Sequence, residues 1–157
     1  MGQLSADEIQ VLNEALEDEY HAWSTYVQVL ADFGEVRPFT RIREAEARHI
    51  AALLVLFDRY SLPVPPNRWS GKAERYPNLQ AACAAAVEAE IANGQMYDRL
   101  LLLTQRADIT GVLKNLQEAS QLRHLPAFRR CLQAAAGERN DGGGAGGKGR
   151  RCRQRGI

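Results

Sequence analysis

Cysteine is scarce in this chain, and the few cysteines present form no metal-binding motif. Cys83, Cys131 and Cys152 are too far apart in sequence to make a C-x-x-C pair. A disulfide framework and a zinc or rubredoxin-type module are therefore not expected. This cysteine usage makes a reducing cytoplasm the simplest predicted location.

Long apolar runs are also missing. The longest run, Ile50–Phe57, is far shorter than the roughly 20 apolar residues that a membrane-spanning helix needs. The polar N-terminus lacks the apolar core of a cleaved leader. The sequence therefore predicts neither membrane contact nor secretion.

Positive and negative charges nearly balance over the whole chain, but they are unevenly distributed along it. The net charge is +1, whereas residues 137–157 carry +4, so the preceding residues sum to −3. We expect one domain over residues 5–136 and a disordered Gly/Arg-rich tail over residues 137–157, because its glycine run cannot build a packed element. The tail arginines suit nucleic acid or acidic surfaces, but an idle extension is the favoured interpretation.

Apolar residues recur at helical spacing in four stretches, which predicts four amphipathic helices. Ser5 and Glu8 form a capping box for the first, Pro38 suits the first turn of the second, and Asn78 and Asp108 are expected to cap the third and fourth. The expected inward-facing residues are Leu12, Leu16, Trp23, Tyr26, Leu30, Phe33, Phe39, Ile42, Leu53, Leu56, Tyr60, Leu79, Cys83, Val87, Ile91, Tyr97, Leu101, Val112, Leu113, Leu116, Ala127, Phe128 and Cys131.

The connection between the second and third helices is unusually long. Residues 61–77 contain Pro63, Pro65, Pro66 and Pro77 and no helical pattern. Such a length suits a crossover that runs along a bundle, held down by aromatic side chains at positions 69 and 76. The predicted fold is an all-α antiparallel four-helix bundle with a long crossover between helices two and three.

Two segments of the first half recur in the second. Residues 15–19 match residues 86–90 at a spacing of 71, and the His49 segment matches the His124 segment at a spacing of 75. Each half therefore offers a glutamate on its first helix and a histidine on its second. Two related sets of this kind favour one binuclear metal site between the halves.

Acidic and imidazole side chains interrupt the apolar faces near the middle of each predicted helix. They are Glu19, Glu46, His49, Glu90 and His124. An unpaired buried carboxylate costs several kcal/mol, so converging carboxylates must be protonated or neutralised by cations. Carboxylate and imidazole ligands together suit iron or manganese better than a thiolate-type zinc site.

These residues resemble those of the ferritin-like di-iron superfamily, whose pattern is a glutamate, then Glu-x-x-His, then both again. The chain is similar in detail to an uncharacterised prokaryotic ferritin-like family through VRPF, AEARHIAAL, RYSLPVP, AEIANGQMYDRLL and RHLPAFRRC, over about residues 8–133. The resemblance implies two bound iron ions, with manganese as the alternative. It implies metal-ligand roles for Glu19, Glu46, His49, Glu90 and His124, with Glu46 and Glu90 as the favoured bridging carboxylates.

One position departs from the family pattern. The second Glu-x-x-His motif has Gln121 in place of its glutamate, and an amide oxygen is a poorer ligand than a carboxylate. Three carboxylates supply −3 against the +4 of two divalent ions. The sequence therefore predicts two unequal metal positions, with the weaker one beside Gln121 and His124.

Several neighbours of the predicted site have two interpretations. Tyr26 and Tyr97, each seven residues after a proposed ligand, either contact a ligand carboxylate and take part in oxidation or simply fill the core. Gly94 either opens a path for the oxidant or leaves room for Trp23. The two core cysteines are expected toward one end, close enough for redox exchange, with buried reduced thiols favoured. His21, Glu17, Asp18 and Glu88 are expected at the surface.

The resemblance implies oxidation of ferrous iron or reduction of oxygen or hydrogen peroxide, as in ferroxidases and rubrerythrin-like peroxidases. Because no rubredoxin-type module is present, electrons would come from a separate donor. A homodimer is compatible with the sequence. The alternatives are a metal-binding or structural bundle without turnover, and a binding protein whose tail carries the partner contact.

Overall fold

The computed structural model describes residues 2–141, with side chains for residues 2–137, and this part contains helices and no strand. The helices are α1 (Ala6–Phe33), α2 (Phe39–Arg59), α3 (Leu79–Leu101), α4 (Ala107–Ala119) and α5 (Leu125–Asp141), with a π-helical turn (Ser120–His124) between the last two. Since α4, the turn and α5 form one long bundle helix, the predicted all-α four-helix bundle is confirmed. No helix in the described part is long and apolar enough to cross a membrane.

Helix α5 extends past the boundary at residue 136 that the sequence predicted for the bundle. Most of the predicted disordered tail, from residue 142 onward, lies outside the described residues. Its predicted disorder and its proposed contacts with nucleic acid therefore stay predictions.

Local sequence explains where α1 and α3 begin and where α1 ends. The Ser5 hydroxyl accepts a hydrogen bond from the Glu8 N–H at 3.1 Å, and the Glu8 carboxylate accepts one from the Ser5 N–H at 2.9 Å. Gly34 ends α1 with a φ of 86°, which suits glycine at a helix end. The Asn78 side chain accepts from the Ala81 N–H at 2.9 Å. The caps at Ser5 and Asn78 were predicted from sequence.

The predicted cap of the fourth helix is wrong. Helix α4 begins at Ala107 with Arg106 at the N-cap position, and Asp108 lies within the first turn. The Asp108 carboxylate accepts hydrogen bonds from the Tyr60 hydroxyl at 2.6 Å and from Arg59 at 3.0 Å. A tertiary contact that ties α4 to the end of α2 therefore uses this carboxylate.

The π-helical turn changes which side chains the fourth bundle helix presents to the interior. The Leu125 N–H donates to the Ser120 carbonyl, five residues back. Pro126 has no N–H to continue the α-helical pattern, so the chain accommodates it next to this wider turn. Ser120 and His124 are both buried, whereas Leu122 between them is exposed. The turn thus directs two polar side chains inward from one short segment.

The apolar core consists of two clusters at different levels of the bundle. One includes Leu12, Leu16, Leu53, Phe57, Tyr97, Leu100, Leu113 and Leu116. The other includes Tyr26, Val29, Phe39, Ile42, Val87, Leu125 and Phe128. Every bundle helix contributes to both clusters, and its acidic or imidazole residues fall between the two contributions. The core therefore leaves a polar layer across its middle.

The crossover between α2 and α3 is held against the bundle, as expected. The Trp69 indole stacks on the His21 ring with centroids 4.0 Å apart. Tyr76 packs against the second core cluster. His21, expected at the surface, is therefore half-buried beneath the crossover.

Cys83 and Cys131 are joined by a disulfide that links α3 to α5, with their Cα atoms 6.0 Å apart. The expected proximity of the two cysteines is present, but the expected reduced thiols are not. Bundle packing brings the two residues together across 48 positions of sequence. Because Cys83 and Cys131 form a disulfide, cysteine usage no longer supports a location in a reducing compartment.

We expect the substitution Ser5→Ala to lower the free energy of unfolding by about 1 kcal/mol, because it leaves the Glu8 N–H without its cap. Urea denaturation of the metal-free chain measures this change. Ser70→Ala, at an exposed serine of the crossover, is the matched control. Equal effects of the two substitutions would contradict the role of the capping box.

Candidate metal centre

Five side chains from all four bundle helices meet in the polar layer between the core clusters. One candidate group consists of Glu19, Glu46 and His49. Each residue offers one ligand atom, and these three atoms lie within 4.8 Å of one another. The same holds for Glu46, Glu90 and His124. Glu46 belongs to both groups, so its carboxylate would be available to both metal positions if two ions were bound. Glu90, also expected as a bridge, belongs to one group.

The carboxylates of the cluster are almost completely removed from water. Glu19 and Glu46 are 2% exposed and Glu90 is 3% exposed. Burial of one such charge without a partner costs several kcal/mol, and three at close range also repel one another. The geometry therefore requires positive charge, from protons or from metal ions, inside the cluster.

His124 tests whether these residues fit a metal ion. Its Nδ1 lies 3.1 Å from a Glu46 oxygen and 3.5 Å from a Glu90 oxygen. This buried nitrogen nevertheless has no hydrogen-bond partner in the described part of the chain. A buried nitrogen that converges with carboxylate oxygens without bonding to them is placed as a metal ligand would be. The donor set, with three carboxylates and two imidazoles, fits iron or manganese.

Protons neutralise the cluster in the metal-free chain. Burial and the neighbouring Glu46 carboxylate raise the pKa of Glu19 to about 8. Burial opposes the ionisation of Glu46, but the adjacent Glu19 carboxyl and both imidazoles outweigh it and lower its pKa. Burial likewise disfavours charged imidazoles, yet nearby carboxylates raise the pKa of His49 to about 10 and that of His124 to about 9. Bound cations would take the place of these protons.

The two buried tyrosines contact the cluster in a crossed arrangement. The Tyr97 hydroxyl donates to a Glu19 oxygen at 2.5 Å, and the Tyr26 hydroxyl donates to a Glu90 oxygen at 2.9 Å. Burial, followed by the adjacent carboxylates, raises the pKa of both phenols well above the ordinary value. The phenols therefore stay protonated and orient two ligand carboxylates. Their part in oxidation stays a prediction.

Gln121 lies beside the second ligand group, with its side-chain amide held by hydrogen bonds. Its amide nitrogen donates to the backbone carbonyl of Glu90 at 2.7 Å and to the Ser120 hydroxyl at 2.9 Å. The amide lies over Gly94, where an added Cβ would come within 2.5 Å of the Gln121 Cδ. Gly94 therefore makes room for Gln121, and neither an oxidant path nor Trp23 fills that space. The metal-ligand role of Gln121 and the predicted inequality of the two metal positions stay predictions.

Ser120 is a neighbour of the site that sequence reasoning missed. Its hydroxyl donates to a Glu90 oxygen at 2.5 Å, so this carboxylate accepts one hydroxyl on each oxygen, from Ser120 and Tyr26. The sequence signal is its position four residues before His124, on one face of an α-helix. The π-helical turn and the replaced glutamate hide that signal.

An acidic inlet reaches the cluster from the surface. This cavity of about 370 Å³ lies between α1, α3 and the crossover, and it extends to Glu46 and Glu90. Its walls carry the acidic side chains Asp18, Glu74 and Glu88. Asp18, expected in a solvated face, is half-buried. Burial first, and the nearby carboxylates next, raise its pKa to about 6.

Comparison with solved structures establishes the class of fold. The crystal structure of hypothetical protein MJ0754 from Methanococcus jannaschii matches with a TM-score of 0.77 and 22% identity, covering 87% of this chain and 85% of that chain. Mycobacterium tuberculosis bacterioferritin, BfrA, matches with a TM-score of 0.71 and 16% identity, covering 87% of this chain and 90% of that chain. No protein-family model and no curated protein matches the sequence. At these identities the likeness shows a ferritin-like four-helix bundle, which the sequence predicted.

We expect the effect of Gly94→Ala on the free energy of unfolding to depend on Gln121. In a chain that carries Gln121→Ala, the substitution should be more stabilising, by at least about 1 kcal/mol, than in the unchanged chain. In the intact chain the new methyl group displaces the Gln121 amide and its hydrogen bonds. Without that amide, alanine retains its helix propensity advantage over glycine. A double-mutant cycle by urea denaturation measures the coupling, and additive effects would contradict the contact.

We expect the metal-free chain to lose stability as the pH rises from about 5 to about 9. The pKa of Glu19, about 8 in the folded chain against the usual 4.5, makes its contribution fall as the pH rises through this range. His49 and His124 contribute fully to the free energy of unfolding below the usual histidine pKa of 6.5. This contribution is lost as the pH rises toward their pKa values in the folded chain, about 10 for His49 and about 9 for His124. Thermal unfolding with a chelator measures this dependence.

The Glu19→Gln variant, which cannot lose this proton, should show a shallower dependence on pH. A melting temperature of the metal-free chain that stays constant or rises across the range would contradict the protonated cluster.

Proposed function

We propose that this protein binds two iron ions, or manganese ions in their place, and uses them to oxidise ferrous iron or to reduce oxygen or hydrogen peroxide. The observation that carries the proposal is the shared position of Glu46 in two buried carboxylate–imidazole groups. A structural ion pair needs neither two groups nor a common carboxylate. The unsatisfied Nδ1 of His124 supports the same interpretation.

The acidic inlet supports a route for cations into the cluster. Asp18, Glu74 and Glu88 lend its walls negative charge, which raises the local concentration of divalent cations. At the inner end of the inlet, the carboxylates of Glu46 and Glu90 would bind the cations that the inlet attracts. The cavity that carries these carboxylates extends to the site, so it would admit ferrous iron from solvent.

A pair of redox-active ions would supply the electrons for the reaction. Reduction of hydrogen peroxide to two molecules of water needs two electrons and two protons, and two ferrous ions held by the two ligand groups would each give one electron. Tyr26 and Tyr97 hold protons against the Glu90 and Glu19 carboxylates and would be the proton-bearing hydroxyl groups of the site in such a reaction. A peroxidase cycle also needs a separate electron donor to restore ferrous iron, because the sequence carries no rubredoxin-type cysteine motif.

A metal-binding bundle without turnover is the second candidate. Each group brings together three candidate protein ligands. Open coordination positions suit an oxidant, but a site with few ligands also binds its ions weakly. Iron oxidation kinetics separate the two candidates, because both predict binding and one predicts turnover.

We expect Glu46→Gln to slow the oxidation of ferrous iron at least about tenfold, because the loss of one charged ligand interaction exceeds 1.4 kcal/mol. The protein is loaded with ferrous iron without oxygen, oxygen or hydrogen peroxide is admitted, and near-ultraviolet ferric absorbance is followed. Glu44→Gln, two residues away at an exposed position of α2, is the matched control and should oxidise iron at the rate of the unchanged chain.

The inert bundle predicts a different result. In that case the unchanged chain binds ferrous iron but oxidises it no faster than the Glu46→Gln variant. Circular dichroism of each variant verifies that the bundle stays folded.

A further inference from the structure

A second concave surface lies on a different side of the bundle from the acidic inlet, between α2 and α5. It has a volume of about 670 Å³. Its charged lining consists of arginines, and we name it the arginine groove after Arg37, Arg41, Arg48, Arg123 and Arg130. No acidic side chain is among the described residues that line it. The groove therefore concentrates positive charge in one cavity of a chain whose net charge is only +1.

The groove arginines have no anionic partner within residues 2–137, unlike most of the other arginines whose side chains the structure describes. Within residues 2–137, none of the five forms a salt bridge. Outside the groove, the arginines that form ion pairs with carboxylates are Arg43, Arg59, Arg68, Arg75, Arg99 and Arg106. Arg129 is the one arginine with a described side chain that is neither paired nor in the groove. Unpaired guanidinium groups thus collect where the surface is concave.

The arginines form two rows along the walls of the groove. Arg41 and Arg48 are seven residues apart on α2, and Arg123 and Arg130 are seven residues apart along the fourth bundle helix. Seven residues correspond to two helical turns, or about 10 Å along the axis. The apolar side chain of Ile42 also lines the groove. Two charged rows with an apolar contribution between them match an elongated anion better than a single compact one.

We propose that the arginine groove binds a small linear anion that carries two or more phosphate groups. Guanidinium groups present paired N–H donors that match phosphate oxygens, and they stay charged at every relevant pH. Several guanidinium groups in one cavity also repel one another, so a multiply charged ligand relieves repulsion that a single phosphate would relieve less. An oligophosphate supplies several negative charges along one chain.

The size of the groove favours a small molecule over a macromolecule. Its volume falls within the range of roughly 300–1,000 Å³ that is typical of small-molecule sites. A duplex or a protein partner would need a broad convex or flat basic surface instead. Outside the groove, the arginines of the described chain that form ion pairs do not extend it into a broad basic surface. The proposal does not depend on metal binding, although His124 also lines the groove.

Titration calorimetry of the full metal-free chain with sodium tripolyphosphate tests the proposal. We expect binding of one tripolyphosphate for each chain. The double substitution Arg41→Gln with Arg130→Gln removes one charge from each row and should weaken binding at least about tenfold. The matched control is Arg43→Gln with Arg129→Gln, which removes the same charge from the same two helices outside the groove. It should change affinity less than about threefold.

Four outcomes would overturn the proposal. The first is no binding of tripolyphosphate, and the second is an equal loss of affinity in both double variants, which would indicate general electrostatic attraction. The third is binding of citrate as tight as that of tripolyphosphate, which would assign the groove to carboxylates. The fourth is tight binding of a single-stranded oligonucleotide without competition from tripolyphosphate, which would assign the basic surface to nucleic acid. All the substituted arginines except Arg43 are exposed, and circular dichroism verifies that each variant is folded.

Discussion

The structure depends on one electrostatic constraint, which is that three carboxylates lie together in the middle of an apolar bundle. Glu19, Glu46 and Glu90 are held there by helices that are packed above and below the polar layer. Their repulsion has to be balanced inside the cluster, because almost no solvent reaches it. Protonated imidazoles balance it in the metal-free chain, and bound cations would balance it otherwise. The surrounding hydroxyl groups are arranged to donate to these carboxylates.

The surface around this layer carries opposite charges on different sides. The acidic inlet leads from α1 and α3 toward the carboxylates, whereas the arginine groove lies between α2 and α5. His124 connects the two regions, since it lines the groove and directs Nδ1 toward the cluster. Acidic and basic side chains therefore line different faces of the described bundle. This separation is consistent with a site that takes up metal ions from one side without attracting anions there.

Periodicity and caps predicted the bundle well because their causes are local. The capping box at Ser5 and the cap at Asn78 depend on groups three residues apart, which the sequence displays directly. The five proposed ligands were also recognisable, because an acid or imidazole within an apolar face stands out by its cost of burial. Asp108 shows where this reasoning fails. The Asp108 carboxylate suits a helix cap, but it accepts a hydrogen bond from Tyr60 at the end of α2 instead. No local rule predicts whether the backbone or Tyr60 will be its partner.

The sequence by itself determined the four helices, the long crossover and the residue types available in the polar layer, because helix formation and burial follow from spacing along one chain. Tertiary structure alone decided which groups meet. It assigned Glu46 to both ligand groups, directed Ser120 to Glu90 through a π-helical turn, and placed Gln121 over Gly94. It also collected into one groove five arginines that form no salt bridge within residues 2–137. These outcomes depend on the rotation and register of helices against one another, and those are set by packing over the whole bundle.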